Sequence, residues 1–411
     1  MQIKPKQQTK KIPKLRFPEF GGEWEEKRLG EIAKFRRGSF PQPYGLSKWY
    51  DDENGLPFIQ VYDVGFDGRL KETTKRKITP EAAKLSVFAE KGTVVLTIQG
   101  SIGRIAITQY DAYIDRTLLI FTSYLLPVNK EFFMYSVYLL FEEEKRKAPG
   151  GTIKTITKEK LTNFKIKLPS LPEQQKIASF LSVVDERIKI LQTKREALVK
   201  YKKGIMQKIF PAKDRQVPEI RFKPARNATH SVAGGNDNGK DFPEWEEKRL
   251  GEIAKIYQPK TISTSQLDKN ADYVVYGANG IIGRYKDYNH EYEQIIVTCR
   301  GSTCGTVTFT KPKSWITGNA MVINVDDSEE IVKSFLFYQL QNDNLKYLIT
   351  GSGQPQITGD IRLHKIKIPS LPEQQKIANF LSAIDKKIEL FDAQIQKMQE
   401  WKRGLMQGLF V

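Results

Sequence analysis

Few residues in this sequence could do acid, base, nucleophilic or metal chemistry. His occurs only at 230, 290 and 364, and Cys only at 299 and 304, so imidazole has few positions from which to move a proton. Cys299, Cys304 and His290 supply three ligand types, but there is no fourth ligand, and the two thiols share a short strand-turn-strand stretch. That pattern favours packing over zinc. Gly234 to Lys240 (GGNDNGK) has the glycine and lysine spacing of a phosphate loop, yet Asp241 stands where a Ser or Thr would hold magnesium, and no strand precedes it. Asn227-Ala-Thr229 matches a glycosylation acceptor, which has no bearing in a cytosolic chain. No Asp/Asn-Pro-Pro-aromatic run, which would hold a target adenine, occurs anywhere. The expectation is a chain with no catalytic residues, no metal site and no cofactor of its own.

What remains is binding, and the charge says of what kind. The 411 residues carry 66 Lys plus Arg against 48 Asp plus Glu, a net +18 with a pI near 9.5. Clustered cations bind polyanions by releasing condensed counterions, which makes nucleic acid the favoured partner. Two cysteines in such a length, a Lys-rich start without an apolar core and no long apolar run predict a cytoplasmic protein with no membrane span. The 22 Phe, 17 Tyr and 5 Trp are core builders, so the chain folds, as two or three domains.

The elements that must position such a binding surface are written twice. Trp24 to Lys34 reads WEEKRLGEIAK, and Trp245 to Lys255 repeats it residue for residue. Ile166 to Ile188 (IKLPSLPEQQKIASFLSVVDERI) returns as Ile366 to Ile388 (IKIPSLPEQQKIANFLSAIDKKI), Lys203 to Phe210 returns as Arg403 to Phe410, and the lead-in Pro13 to Phe17 is echoed by Pro218 to Phe222. A self-similar frame of this kind fixes the architecture. Between its repeats lie two inserts of different length and mostly different sequence, with faint common marks at Thr97 to Ile107 and Thr298 to Phe309. A weaker echo links Gly151 to Thr157 with Gly353 to Thr358.

After each insert the repeat reads as a long helix. Ser170-Leu-Pro-Glu173 and Ser370-Leu-Pro-Glu373 fit a capping box with Pro in the first turn. Apolar residues then recur every seven positions, at Ile177, Val184, Leu191, Leu198 and Ile205, and at Ile377, Ile384, Phe391, Met398 and Leu405. Second apolar columns at Leu181 and Ile188, and at Leu381 and Ile388, predict a paired coiled coil. The inserts are β-rich: Leu56 to Tyr62, Thr93 to Ile98, Ile102 to Ile107, Leu118 to Ser123, Tyr273 to Tyr276, Gln294 to Thr298, Thr306 to Thr310 and Ala320 to Val325 read as strands. Helical stretches follow at Glu131 to Arg146 and Glu329 to Leu348. The fold class is α+β. The boundaries expected are a lead-in at 1–22, a first insert domain at 23–169, a long helix at 170–210, a linker at 211–240, a second insert domain at 241–369 and a second long helix at 370–411.

Two variable inserts alternating with two near-identical segments, each opening LPEQQKIA and running into a heptad helix, resemble the specificity subunit of type I restriction-modification systems. Tyr276-Gly-Ala-Asn-Gly-Ile-Ile-Gly283, Arg300-Gly-Ser302 and Trp315-Ile-Thr-Gly-Asn319-Ala are similar to the interior of that family's target-recognition domains. The first insert departs from this pattern, with Phe58-Ile-Gln60, Val61-Tyr-Asp63, Gly100-Ser101 and Asp115-Arg116-Thr117 but no YGANG. The resemblance implies two target-recognition domains joined by long antiparallel helices in a pseudo-two-fold internal repeat. Each domain reads half of a bipartite, asymmetric site in double-stranded DNA, and the helices set the unread spacer. It also implies two methyltransferase (M) subunits and motor-nuclease (R) subunits as partners. S-adenosylmethionine, ATP and magnesium, adenine-N6 methylation and ATP-dependent cleavage would belong to those partners. The alternatives are a structural coiled-coil adaptor with non-specific DNA affinity and a self-sufficient methyltransferase or nuclease.

Arg or Lys can reach guanine and Asn or Gln forks onto adenine, whereas lysine-rich runs contact phosphates. The candidate base readers are therefore Gln60, Tyr62, Gln99, Ser101, Arg116 and Lys154 in the first insert, and Asn279, Arg300, Ser302, Asn319, Gln354 and Gln356 in the second. Lys71 to Lys77 and Lys145 to Lys147 are candidates for phosphate. Trp24 and Trp245 are expected to pack the insert against the helices or a partner rather than to stack on DNA. The outward face of the helix starts, Gln174, Gln175 and Lys176 with Gln374, Gln375 and Lys376, is the candidate partner surface. Pro172 to Phe210 holds nine Lys plus Arg and four Asp plus Glu, and Pro372 to Val411 six and five, so most of the positive excess lies outside the helices.

Overall fold

Each copy of the repeated WEEKRLG segment forms the same short strand and helical turn. β1 (Glu25–Arg28) pairs antiparallel with β10 (Lys165–Leu168), Glu25 opposite Leu168, and β11 (Glu246–Arg249) pairs with β19 (Lys365–Ile368) in the same register, Glu246 opposite Ile368. α1 (Leu29–Ile32) and α6 (Leu250–Ile253) follow. In both, the Glu at the third position accepts the N–H of Arg28 or Arg249. The frame thus closes the two ends of each insert onto one another. The computed structural model describes residues 12–148, 156–212, 214–223, 242–278, 280–351 and 354–411.

The chain divides into two compact units, Met1–Leu191 with Gln394–Val411, and Gln192–Ala393. In the first, β2 (Ala33–Arg37), β3 (Leu56–Ile59), β4 (Arg76–Ile78), α2 (Pro80–Lys84), β5 (Val87–Ala89), β6 (Val94–Thr97), β7 (Ile105–Ile107), β8 (Ala112–Ile114) and β9 (Leu118–Tyr124) build two sheets of order β2-β9-β6-β7 and β4-β3-β8-β5. α3 (Lys130–Lys147) and α4 (Lys158–Thr162) complete the insert. In the second unit β12 (Lys255–Tyr257), β13 (Tyr273–Gly277), β14 (Gly280–Tyr285), β15 (Ile295–Thr298), β16 (Val307–Phe309), β17 (Trp315–Ile316) and β18 (Ala320–Asn324) build sheets of order β12-β18-β15-β16 and β14-β13-β17, followed by α7 (Lys333–Asn342).

The two inserts therefore share a topology. β3 pairs antiparallel with β4 and parallel with β8, as β13 does with β14 and β17. The extra length of the first insert goes into α2, β5 and the Gln60–Lys75 connection, where the second has only a tight hairpin. Most expected strands lie where the alternation placed them, but three elements are shorter. The run Ile102 to Ile107 becomes a strand only at Ile105, after the turn. The run Leu56 to Tyr62 stops at Gln60 because the Asp63 carboxylate takes the Gln60 N–H and turns the chain into a 3-10 turn. The helix expected over Glu329 to Leu348 ends at Asn342; Asn344 then caps a separate 3-10 turn, Leu345–Leu348, through the Lys346 N–H.

α5 (Leu171–Ile209) and α8 (Leu371–Leu409) are uninterrupted helices of 39 residues, about 58 Å at 1.5 Å rise. Each lends one part to each unit. Within the first unit Phe180 meets Trp401 edge to face and Asp185 pairs with Lys402. Within the second, Arg195 pairs with Asp392 and Lys202 with Asp385, so residue numbers rise along one helix as they fall along the other. The heptad residues Ile177, Leu181, Val184, Ile188 and Leu191, and Ile377, Leu381 and Ile384, are buried. Trp24 is 1% exposed, edge-on to Phe132 and Phe410, and Trp245 is 3% exposed, edge-on to Phe210 and Phe335. Both tryptophans pack an insert helix against a long-helix end.

The capping boxes expected at Ser170 and Ser370 are not what the glutamates do. Glu173 accepts two hydrogen bonds from Arg16, at 2.8 Å each, and Glu373 two from Arg221, at 2.9 and 2.6 Å. A bidentate guanidinium is the stronger partner for a carboxylate this buried. The repeated lead-ins are thereby tied to the helix starts. Among the described residues no helix is long and apolar enough to cross a membrane.

Candidate nucleic-acid interface

In the first unit three connections meet at one end of the two sheets: the stretch after β3, the β6–β7 turn and the Asp115–Thr117 link. Asp115 N–H donates to the Ile59 carbonyl (3.0 Å) and Ile98 N–H to the Thr117 carbonyl (2.9 Å). The β6–β7 turn is fixed by Thr97, whose hydroxyl donates to the Ser101 carbonyl at 2.6 Å, and by Gly103, at φ +88°, whose N–H donates to the Thr97 carbonyl at 3.0 Å. A Cβ at Gly103 would sit 2.8 Å from the Phe141 ring, so glycine is required there twice over. The structure thus brings Gln60, Tyr62, Gln99, Ser101 and Arg116 to one end, with Gln99, Ser101 and Arg116 exposed. Lys154 lies outside the described residues.

Beneath them two buried aspartates organise the loops. Asp63, fully buried, accepts the N–H groups of Gln60 (2.9 Å) and Lys75 (3.0 Å); burial pushes its carboxyl above the usual range. Asp115, also fully buried, accepts the Thr117 N–H and hydroxyl and the hydroxyl hydrogen of Tyr44. Cations mounted on rings surround the site: Lys75 over Tyr62 at 5.0 Å, Arg76 over Tyr50 at 3.8 Å, Arg104 over Phe66 at 4.0 Å and Arg116 over Tyr44 at 4.5 Å. Sequence reading missed Tyr44 and Tyr50, and took Arg76 only as part of the phosphate candidate Lys71 to Lys77. The aromatic run Phe40, Tyr44, Trp49 and Tyr50 was the available signal, but nothing in its spacing shows which rings will carry a cation.

The second unit assembles the corresponding end from its own loops. Cys299 N–H donates to the Asn319 carbonyl (3.0 Å), Ile357 N–H to the Cys299 carbonyl (3.0 Å) and Gly301 N–H to the Pro355 carbonyl (3.1 Å), while Arg300 and Gln356 form an antiparallel bridge. Gly305, at φ +87°, donates to the Thr298 carbonyl (2.8 Å) as Gly103 does to Thr97. The faint sequence echo between the inserts is this shared turn. Thr298 and Thr303 both donate to the Ala278 carbonyl, at 3.0 and 2.8 Å, which holds the β13–β14 hairpin beside it. Arg300, Ser302, Gln354 and Gln356 are exposed there and Asn319 half-buried. Asn279 lies outside the described residues.

The cysteines and His290 serve packing. Cys299 is buried and accepts from Gln258 Nε2 at 3.1 Å; burial pushes its thiol up. His290 Nδ1 donates to Asn289 Oδ1 (2.6 Å), and Nε2 accepts from the Tyr257 hydroxyl (2.9 Å). No group of three or more metal-ligating side chains occurs among the described residues. The phosphate-loop look-alike at 234–240 and the Asn227 acceptor lie outside them. Lys145 and Lys147 pair with Glu142, Glu143 and Glu144 on their own helix.

The candidate partner surface needs correction at two positions. Gln174 and Gln374 do not face outward; each is 1% exposed. Gln174 Oε1 accepts the Asn129 N–H (3.0 Å) and its Nε2 donates to the Pro169 carbonyl (3.0 Å); Gln374 does the same with Val332 (2.8 Å) and Pro369 (2.9 Å). An amide that donates and accepts at once can bridge the chain before the insert helix to the start of the long helix. Gln175, Lys176 and Gln375 are exposed and Lys376 half-buried; Lys176 lies 3.3 Å from Glu19 and over Phe17.

Each unit thus carries an insert of matched topology on its own copy of one repeated frame. A family profile described as type I restriction modification DNA specificity domain matches residues 21–200 and 243–400. The chain belongs to that family. Among curated relatives, the type I restriction enzyme MjaVIII specificity subunit of Methanocaldococcus jannaschii is 25% identical, covering 99% of this chain and 96% of its own. The type I restriction enzyme EcoprrI specificity subunit of Escherichia coli is 22% identical over 87% and 86%. In fold, the chain is similar to the S subunit of the type I restriction-modification system of M. genitalium, with TM-score 0.61, 16% identity and 97% of this chain and 99% of that one covered.

Proposed function

We propose that this chain is the non-catalytic, sequence-specific DNA-binding subunit of a type I restriction-modification complex. Each insert reads one half of a bipartite, asymmetric duplex site, and α5 and α8, as an antiparallel coiled coil between the two recognition domains, set the unread spacer. Methyltransferase subunits dock on the repeated frame, one for each copy, and motor-nuclease subunits join for cleavage. Adenine-N6 methylation, S-adenosylmethionine, ATP and magnesium belong to those partners. The reading rests on one observation above the rest: two inserts of the same strand topology, held in the same register by the same frame, present different side chains at the same end. Loops of fixed shape and variable content are what half-site reading requires.

The test is the adenine methylome of the host. One bipartite motif should be modified and should vanish when the gene for this chain is deleted. An unchanged methylome contradicts the proposal.

A further inference from the structure

We propose that Arg116 is the guanine-reading side chain of the first insert and that Tyr44, Gln60 and Asp115 are the positioning residues that hold it. The inference deepens the DNA-reading function proposed above and rests on it.

The argument begins in the core. Phe58 is fully buried and lies 4.8 Å from Phe40, which is 6% exposed; Phe40 meets Tyr44 edge to face at 5.2 Å. This aromatic column carries Tyr44 to the surface on a rigid base. The Tyr44 hydroxyl donates to Asp115 Oδ2 (2.9 Å) and accepts from Gln60 Nε2 (2.8 Å), and Gln60 Oε1 in turn accepts from the Tyr62 hydroxyl. Asp115 is held by the Thr117 amide (2.9 Å). The Tyr44 ring is thereby fixed at its edge and at its hydroxyl, and on its face sits the Arg116 guanidinium, 4.5 Å from the centroid.

A guanidinium seated over a ring face keeps its N–H donors free in its own plane, where a fork onto guanine O6 and N7 needs them. Holding it in advance lowers the ordering cost of binding. The other ring-mounted arginines are committed elsewhere: Arg76 Nε donates to Asp52 at 3.0 Å, and Arg104 Nη1 to the Val64 carbonyl at 3.4 Å. Among the described residues no carboxylate pairs with Arg116. Gln60, a candidate base reader by type, is instead a strut with both ends of its amide in use.

The test is methylome sequencing of cells carrying the full chain with its partner subunits, as wild type, Arg116→Ala, Arg116→Lys and Tyr44→Ala. Arg116 is exposed, so its replacement leaves the core intact. In the wild type one half of the motif contains a guanine that becomes degenerate in Arg116→Ala. Discrimination at that position should fall roughly ten- to a hundredfold while the other half is unchanged. Arg116→Lys should not restore it, since an ammonium is no fork, and Tyr44→Ala should relax the same position. A motif in Arg116→Ala as stringent as in the wild type overturns the proposal and leaves the DNA-reading function standing. Absence of any bipartite motif in the wild type overturns both.

Discussion

Tyr135 of α3 donates its hydroxyl hydrogen to Asp185 of α5 at 2.6 Å, and the same carboxylate pairs with Lys402 of α8, whose ammonium lies 5.0 Å from the Tyr135 ring centroid. The second unit repeats the arrangement with Tyr338 of α7, Asp385 of α8 and Lys202 of α5, at 2.8 Å, 2.7 Å and 4.8 Å. In each unit one carboxylate ties the insert helix to both long helices. Burial, with the carboxylate beside it, holds each phenol well above its usual range, so the hydroxyl remains a donor. The clamp fastens each insert to the long-helix segments of its own unit. Tyr135→Phe should cost the first unit about 1.5–3 kcal/mol, the worth of a hydrogen bond to a charged group. Tyr338→Phe should do the same for the second. Denaturant melting of the two variants and the double variant tests this, the effects being expected to add because the clamps share no partner.

Arg221 and Glu373 give a second test of the frame. Glu373 is fully buried, so Arg221→Met strands a carboxylate and should destabilise by about 3–5 kcal/mol. Replacing both, Arg221→Met with Glu373→Met, should recover most of that loss. Thermal unfolding of the pair decides; a double variant as unstable as the single one contradicts the account.

His290 predicts a pH dependence. Burial lowers its pKa below the ordinary 6.5, so the folded chain keeps it neutral where the unfolded chain takes up a proton. Its contribution to stability is present above about pH 6.5 and is lost as pH falls toward the depressed value. His290→Gln should flatten this part of the stability profile between pH 7 and 5. A wild-type profile unaltered by the substitution contradicts it.

The helix pair predicts a length rule. Seven residues added to α5 after Leu191 and seven to α8 after Ala393 lengthen the rod by about 10 Å, or about three base pairs of duplex. The methylated motif should keep both half-sites and gain about that many unread positions. An unaltered spacer contradicts the ruler.

Much of this was legible in the sequence because it is local or repeated. Heptad spacing gave the rods, alternation gave most strands, and the repeated segments gave the frame whose strands pair in one register. What was not legible is pairing across distance. Glu173 looked like a capping residue because Ser170 is three positions away, whereas its partner Arg16 is 157 residues off. Gln174 looked like surface because it is polar, whereas a buried glutamine bridges two backbone segments when both ends of its amide are satisfied. Arg116 was named by residue type alone; only the fold shows the Tyr44 ring beneath it.

Modular reading is the central claim, and exchanging the second insert tests it most directly. Residues 256–364 are replaced by the corresponding insert of a relative with a different motif, and the methylome of cells carrying the chimaera with its partner subunits is sequenced. One half of the bipartite motif should change to the relative's, while the other half and the spacer stay as they were. A change in both halves, or in neither, contradicts the account.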